Sequence, residues 1–281
     1  SMPQPIPALK IPADAAIAHP GFLYGVATAS YQIEGATSED GRLPCIWDTF
    51  SATPGKVLGG DTGALACDHY HRWESDVELI KELGVDAYRL SIAWPRVMDQ
   101  AGRPNARGLD FYKRLLARLK DKGLKTFGTL YHWDLPQHLQ DRGGWVNRET
   151  AYRFADYADL MSRELAGQVD AWATLNEPWC SAFLGHGIGI HAPGHADLRQ
   201  ATQAMHHLLL GHGLALPALR ANDAAAMMGI VANVGAFTPA TDSAADVATR
   251  YRTQRASAGE HAGTAVFFPR DDASRAFEAI D

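Results

Sequence analysis

The sequence predicts an α/β fold of the (β/α)8 TIM-barrel type, incomplete, with about five or six of the eight βα units. Three observations predict it. Short runs rich in β-branched and aromatic residues alternate with amphipathic stretches, the signature of a parallel sheet wrapped by helices. The runs recur at roughly 40 to 65 residues, longer than a minimal βα unit, so the loops between them carry insertions. Polar residues gather just after several of the runs, at the end of a barrel strand where such folds hold their chemistry.

Residues 1–20 are proline-rich and lack a sustained period, so they read as an irregular arm, with Ser1-Met2 as a tag remnant and start methionine. The first strand is expected at 22–27. A helix at 73–83 follows, with Val77, Ile80 and Leu83 at helical spacing and Gly84 ending it. The second strand is expected at 87–92 and the next helix at 109–122, stopped by Gly123. The third strand covers 125–131, followed by a helix at 148–165. The fourth covers 171–175, followed by a long helix at 198–221, and the fifth covers 228–234. Beyond Val234 the alternation weakens. Residues 238–263 are rich in Ala, Thr, Ser and Arg with no apolar stripe, while 264–268 reads as one more short strand and 271–280 as one more helix. The chain thus divides into an arm (1–20), the N-terminal part of a barrel (21–248) and a tail (249–281). Its 281 residues would suffice for a compact barrel of about 250, yet the pattern stops before closure.

Composition bounds the function. With 46% hydrophobic and 21% charged residues the chain can bury a sizeable core. A net charge of −6 argues against a nucleic-acid partner. Three cysteines, Cys45, Cys67 and Cys180, form no CxxC pair and read as free thiols of a reducing compartment. No apolar run approaches the ~18 residues of a membrane span, so a cytoplasmic protein with no membrane partner is expected.

The strongest local signal is Thr174-Leu-Asn-Glu-Pro178, at the end of the fourth strand. A carboxylate at Glu177 would sit at the mouth of a barrel, and Pro178 is expected to hold it in an extended conformation. Asn176 both donates and accepts, which suits a sugar hydroxyl. Alone, a Glu before Pro is a surface residue or a helix start; its company changes that reading. Gln32 follows the first strand, Arg89 lies in the segment Tyr88 to Arg96 that ends the second, and His132-Trp133-Asp134 ends the third. Gln, Arg, His, Asn and Glu at successive strand ends are hard to explain as packing, although Arg89 also reads as a structural ion-pair partner and Trp133 as a rim residue.

These segments, with Gly-His-Gly-Ile-Gly-Ile-His-Ala-Pro-Gly at 185–194 and His-His-Leu-Leu-Leu-Gly-His-Gly-Leu-Ala at 206–215, resemble glycoside hydrolase family 1, the β-glucosidase and β-galactosidase family. The likeness runs from about residue 21 to 240. It implies a retaining β-glycosidase acting on terminal non-reducing β-linked glucose or a related sugar, without metal or cofactor. Glu177 would be the general acid that protonates the leaving oxygen and then the base that activates water. Asn176 would bond the sugar 2-hydroxyl, Gln32 and His132 the 3- and 4-hydroxyls, and Trp133 would line the same pocket. Arg89 would lie under the nucleophile. His186 stands where the family carries a tyrosine. His191, His195, His206, His207 and His212 crowd one region, but none forms a His-Glu-x-x-His pattern, and no metal site is expected.

One part is missing. The family's nucleophile sits in a Glu-Asn-Gly motif on the seventh strand, and no such motif occurs in these 281 residues; Glu260 and Glu278 do not match it. Two-step hydrolysis then has no first step in the isolated chain, and an open half barrel leaves sheet edges exposed. The expected partners are therefore a β-linked sugar and either a complementing C-terminal half or a second copy. A non-catalytic sugar-binding module and a self-associating half-barrel assembly protein are the rival readings.

Overall fold

The computed structural model describes residues 10–233, 238–250 and the strand at 264–267. Five strands stand side by side in chain order: β1 (Gly25–Ala27), β2 (Ala87–Ser91), β3 (Lys125–Tyr131), β4 (Ala171–Asn176) and β5 (Met227–Asn233). All four pairings between them are parallel. Helices α1 (His69–Glu82), α2 (Ala106–Asp121), α3 (Glu149–Glu164) and α4 (Leu198–Asn222) each follow one of the first four strands. This is the unclosed barrel that the alternation predicts.

The sixth element differs from the expected βα unit. Strand β6 (Thr264–Phe267) pairs antiparallel to β5, with Ile230 opposite Phe267 and Asn233 opposite Thr264. It therefore cannot continue a barrel, in which every neighbour runs parallel. Residues 244–250 are helical, where no element is expected from the sequence. The helix expected at 271–280 lies outside the described residues. The first strand starts at Gly25 rather than 22, leaving Phe22, Leu23 and Tyr24 between 40% and 49% exposed along the β1 edge.

The helices form where periodicity and stop signals agree. Along α2, Leu109, Tyr112, Leu116 and Leu119 recur three to four residues apart and are buried against the sheet. Gly123 at φ 74° then reverses the chain, its N–H bonding the carbonyl of Lys120. The side chain of Asp197 caps α4 by accepting from the N–H of Arg199 (2.8 Å). Every residue of β4 is buried, as expected of a strand covered on both faces. The core between sheet and helices is aromatic: Trp94 stacks on Tyr157 at 4.9 Å, and Tyr157 donates to the carbonyls of Ile92 and Leu130, tying α3 to the ends of β2 and β3. That rigid layer fixes where the strand-end loops emerge.

Candidate active site

The side-chain period of two along a strand puts Arg89 of β2 and Thr129 of β3 on one face of the sheet. Arg89 Nε donates to Thr129 Oγ1 at 3.0 Å, and its Nη2 donates to Asn176 Oδ1 at 2.6 Å on β4. One guanidinium so links three consecutive strands. Asn176 is 3% exposed and donates from Nδ2 to His132 Nε2 at 3.4 Å. Trp133 Nε1 donates to the carbonyl of Asn176 at 2.9 Å. Arg89, His132, Trp133 and Asn176 are thus one hydrogen-bonded group, and Glu177 is the next residue along the chain.

Glu177 is not extended, contrary to the expectation from Pro178. Its φ is 45°. The strand ends at Asn176 and a helical turn begins at Pro178, so the chain must swing round at the residue between them. The clash with the proline ring acts against the right-handed region and by itself favours an extended residue; the swing required between strand and turn overrides that preference. The Glu177 N–H still donates to the carbonyl of Val231 on β5 at 2.8 Å, so the turn is anchored to the sheet. Trp133, at φ 80°, and Ala66, at φ 48°, are further non-glycine residues with a left-handed backbone here. Such conformations cost on the order of 1–3 kcal/mol each and gather at functional sites.

Electrostatics follow from burial. Desolvation pushes the Arg89 guanidinium below its ordinary value, opposed by the charge of Glu177. His132 is pushed down to about 3 by burial and then by the neighbouring Arg89, so it is a neutral imidazole at physiological pH. With Nε2 accepting from Asn176, its proton sits on Nδ1. That Nδ1 is buried and has no hydrogen-bond partner among the described residues.

Gln32, His132 and Trp133 line a single cavity of about 320 Å³, completed by Tyr31, Trp47 and the loop around Thr62. Arg89, Asn176 and Glu177 are not in its walls; they join it through the bonds of Asn176 to His132 and Trp133. Gln32 reaches it from the short helix Ser30–Ile33 and is exposed. A larger hollow of about 410 Å³, beside Trp94, His138 and Arg142, shares none of these residues and lacks their convergence.

The structure adds neighbours to this group. His191 packs against Trp133 (5.2 Å) and Trp47 (5.4 Å), and Trp47 has no local signal because it comes from the loop after β1. Trp179, stacked on Phe183 at 6.1 Å, and Cys180 directly follow Glu177-Pro178, and that nearness was the one available clue. Of the crowded histidines, His195 bonds Gln200, His207 donates to the carbonyl of Trp145 and His212 bonds Thr174. Among the described residues no three His, Cys, Asp or Glu side chains are placed to hold a metal ion, and no helix is long and apolar enough to cross a membrane.

Comparison with known proteins places the chain in a family. The profile of glycosyl hydrolase family 1 matches residues 17–266. A β-glucosidase of Agrobacterium sp. is 51% identical over 227 residues, covering 80% of this chain and 50% of that protein. β-Glucosidase A of Thermotoga maritima is 50% identical over 236 residues, covering 83% and 53%. Among solved structures, the AHE enzyme of Alicyclobacillus herbarius is 59% identical with a TM-score of 0.80, covering 83% of this chain and 53% of that one. The Thermotoga maritima β-glucosidase in complex with glucoimidazole superposes with a TM-score of 0.80 at 50% identity, again covering 83% and 53%. The chain spans about half the length of the curated relatives it matches. A parallel sheet, relatives about half identical over most of the chain, and a profile matched across residues 17–266 lead to one assignment: the chain belongs to glycosyl hydrolase family 1.

Proposed function

We propose that this chain is the acid/base-bearing N-terminal part of a retaining β-glycosidase, β-glucosidase-like, that hydrolyses terminal non-reducing β-linked sugars. The observation that carries the reading is the hydrogen-bonded group of Arg89, Asn176, His132 and Trp133 immediately before Glu177, beside a cavity that also takes Gln32. Its chemistry suits a sugar. Gln32 offers both donor and acceptor, the imidazole of His132 a polar wall, and the indole of Trp133 an apolar one. Thermotoga maritima relatives at about half identity have been solved with deoxynojirimycin and glucoimidazole, sugar-like ligands consistent with this class of substrate.

In this reading Glu177 gives its proton to the leaving glycosidic oxygen while a second carboxylate attacks the anomeric carbon. Glu177 then takes a proton from the water that releases the sugar. Arg89, which runs from β2 to β4 beneath the pocket, supports that second carboxylate. No Glu-Asn-Gly motif occurs in these 281 residues, so the nucleophile comes from a complementing C-terminal half. Residues 21–248 form the barrel part, and the three free thiols accord with a reducing cytoplasm.

The test is turnover of an aryl β-glucoside by the chain alone and by the chain mixed with a separately produced C-terminal half of the Thermotoga maritima enzyme. Negligible activity alone and activity in the mixture, lost with Glu177→Gln, is the expected result. Robust hydrolysis by the chain alone, abolished by Glu177→Gln, would show that it holds its own nucleophile, and Glu260 would be the first residue to mutate. A mixture that associates yet stays inactive would overturn the reading.

A further inference from the structure

We propose that Cys180 is a positioning residue for the Glu177 carboxyl, its thiol donating to Oε2 and thereby assigning the transferable proton to Oε1. The proposal rests on the reading of Glu177 as the acid/base, and deepens it.

The geometry comes first. Cys180 lies three residues after Glu177, at the start of the π-helix Cys180–Gly187, and its N–H donates to the Glu177 carbonyl at 2.9 Å. The helical turn through Pro178 and Trp179 brings Cys180 back beside Glu177, three residues earlier. Sγ stands 3.5 Å from Glu177 Oε2, within reach of an S–H donor. On the other side of the sulfur, Asn233 Nδ2 at the end of β5 donates to Sγ at 4.0 Å. A sulfur that accepts from Asn233 directs its own hydrogen away from that side, toward the carboxyl. Glu177 is then held at both ends by β5: its N–H on the carbonyl of Val231, and its side chain through Cys180 on Asn233.

The thiol is suited to this task because it stays a thiol. Burial, and then the charge of Glu177, push it up to about 12, so it donates across the physiological range and does not become a thiolate nucleophile. A donor fixed on Oε2 favours the carbonyl form of that oxygen whenever the carboxyl is protonated. The acidic proton then resides on Oε1. A carboxyl that could rotate freely would present its proton in two directions, of which one faces the leaving oxygen. A left-handed backbone at Glu177 sets the direction of the side chain, and the thiol sets its rotation.

The experiment needs no turnover and uses the chain itself. The S–H stretching band of Cys180, identified by its loss in Cys180→Ser, is expected to move to higher frequency in Glu177→Gln, because an amide accepts more weakly than a carboxylate. The 13C carboxyl resonance of Glu177, identified by its loss in Glu177→Gln, is expected to stay single in Cys180→Ser, which keeps a donor. In Cys180→Ala it is expected to broaden or shift, with melting temperature as the control for folding. A band unmoved in Glu177→Gln, or a carboxyl resonance equally unchanged in Cys180→Ala and Cys180→Ser, would overturn the proposal. Neither reading involves a sugar, so a failure of the glycosidase assignment leaves both intact, and a failure here leaves that assignment standing.

Discussion

The loop after β1 docks on the end of β2 and the loop after it through the bonds of Ser30 to Ser91 and of Leu43 to the carbonyl of Pro95, and through one buried ion pair. Glu34, two residues after Gln32, is 4% exposed; Arg96, in the turn after β2, is 0% exposed. Arg96 Nε donates to Glu34 Oε2 at 2.9 Å, and its Nη2 donates to the carbonyl of Gly35 at 3.0 Å. The Tyr112 hydroxyl donates to the other Glu34 oxygen, and the guanidinium lies 4.2 Å from the centre of the Tyr70 ring. Burial is the largest single influence and pushes Arg96 down, but the charge of Glu34, the Tyr112 hydroxyl and the hydrogen bond to Glu34 together outweigh it, and the guanidinium is held above its ordinary value. Glu34→Gln keeps the shape and removes the charge, which leaves a guanidinium in the core with no carboxylate on it. Breaking a buried pair from one side costs about 3–5 kcal/mol. At about 2–4 °C per kcal/mol for a chain of this size, the melting temperature should fall by roughly 6–20 °C. Replacing both partners, Glu34→Met with Arg96→Met, removes both charges and should recover much of the loss, because no charge is then left unpaired. Thermal unfolding at pH 7, followed by circular dichroism on the parent chain, Glu34→Gln, the two single Met variants and the double variant, measures it. A drop of less than about 1 kcal/mol in Glu34→Gln, the range of surface pairs, would refute the reasoning. So would a double variant as unstable as the sum of its parts.

Three further outcomes follow from the same structure. Gly108→Ala places a Cβ 2.0 Å from the carbonyl oxygen of Arg96, so α2 must shift; the loss should exceed the ~1–3 kcal/mol of ordinary overpacking, and chemical denaturation reads it. Asp134, fully buried with Oδ2 accepting from Ser30 Oγ at 2.7 Å, is raised to about 7, chiefly by desolvation. The folded chain therefore keeps a proton that the unfolded chain gives up near pH 4, and this contribution is full below about 4 and lost as pH rises through about 7. Relative to Asp134→Asn, stability should fall across that window by at most about 1.4 kcal/mol per pH unit and level off above it; a difference flat in pH between 4 and 7 would count against it. His71 bridges Asp68 (2.6 Å) and Glu39 (2.7 Å) at the surface and is raised by those bonds, Asp68 first. Its stabilisation should be complete below the ordinary value of about 6.5 and shrink as pH rises past the raised one. The difference between the parent chain and His71→Ala in urea, taken across pH, checks this, and a constant difference would sink it.

What the sequence made legible was whatever local pattern decides. Strands β2 to β5 and helices α1 to α4 lie within a few residues of the expected bounds, because period and stop signals such as Gly84 and Gly123 are local. The strand-end polar residues were legible for a similar reason: Arg89, His132 and Asn176 are near the ends of their strands, and a parallel register brings strand ends together without further information. The conformation of Glu177 was not. The rule for a residue before proline speaks about one pair of neighbours, whereas the left-handed turn is imposed by β4 ending at Asn176, by the turn starting at Pro178 and by the bond to Val231 on another strand.

The same distinction explains the direction of β6. Period and composition at 264–268 say strand, and strand it is, but direction depends on what precedes it. A parallel partner needs a crossover that carries the chain back to the start of the sheet, usually by a helix. An antiparallel one needs only a return. Residues 238–263 show no apolar stripe with which a crossover helix could cover the sheet, so an antiparallel return is the cheaper way to satisfy the N–H and C=O groups of β5. The consequence reaches the site. The edge at which a barrel of this family would continue toward its nucleophile strand carries β6 instead, so a complementing half has to displace β6 before its own strand can pair with β5. Association should therefore be slower and weaker with the whole chain than with one ending at residue 248. If removing 249–281 left the rate of association with a C-terminal half unchanged, β6 would not be the obstacle.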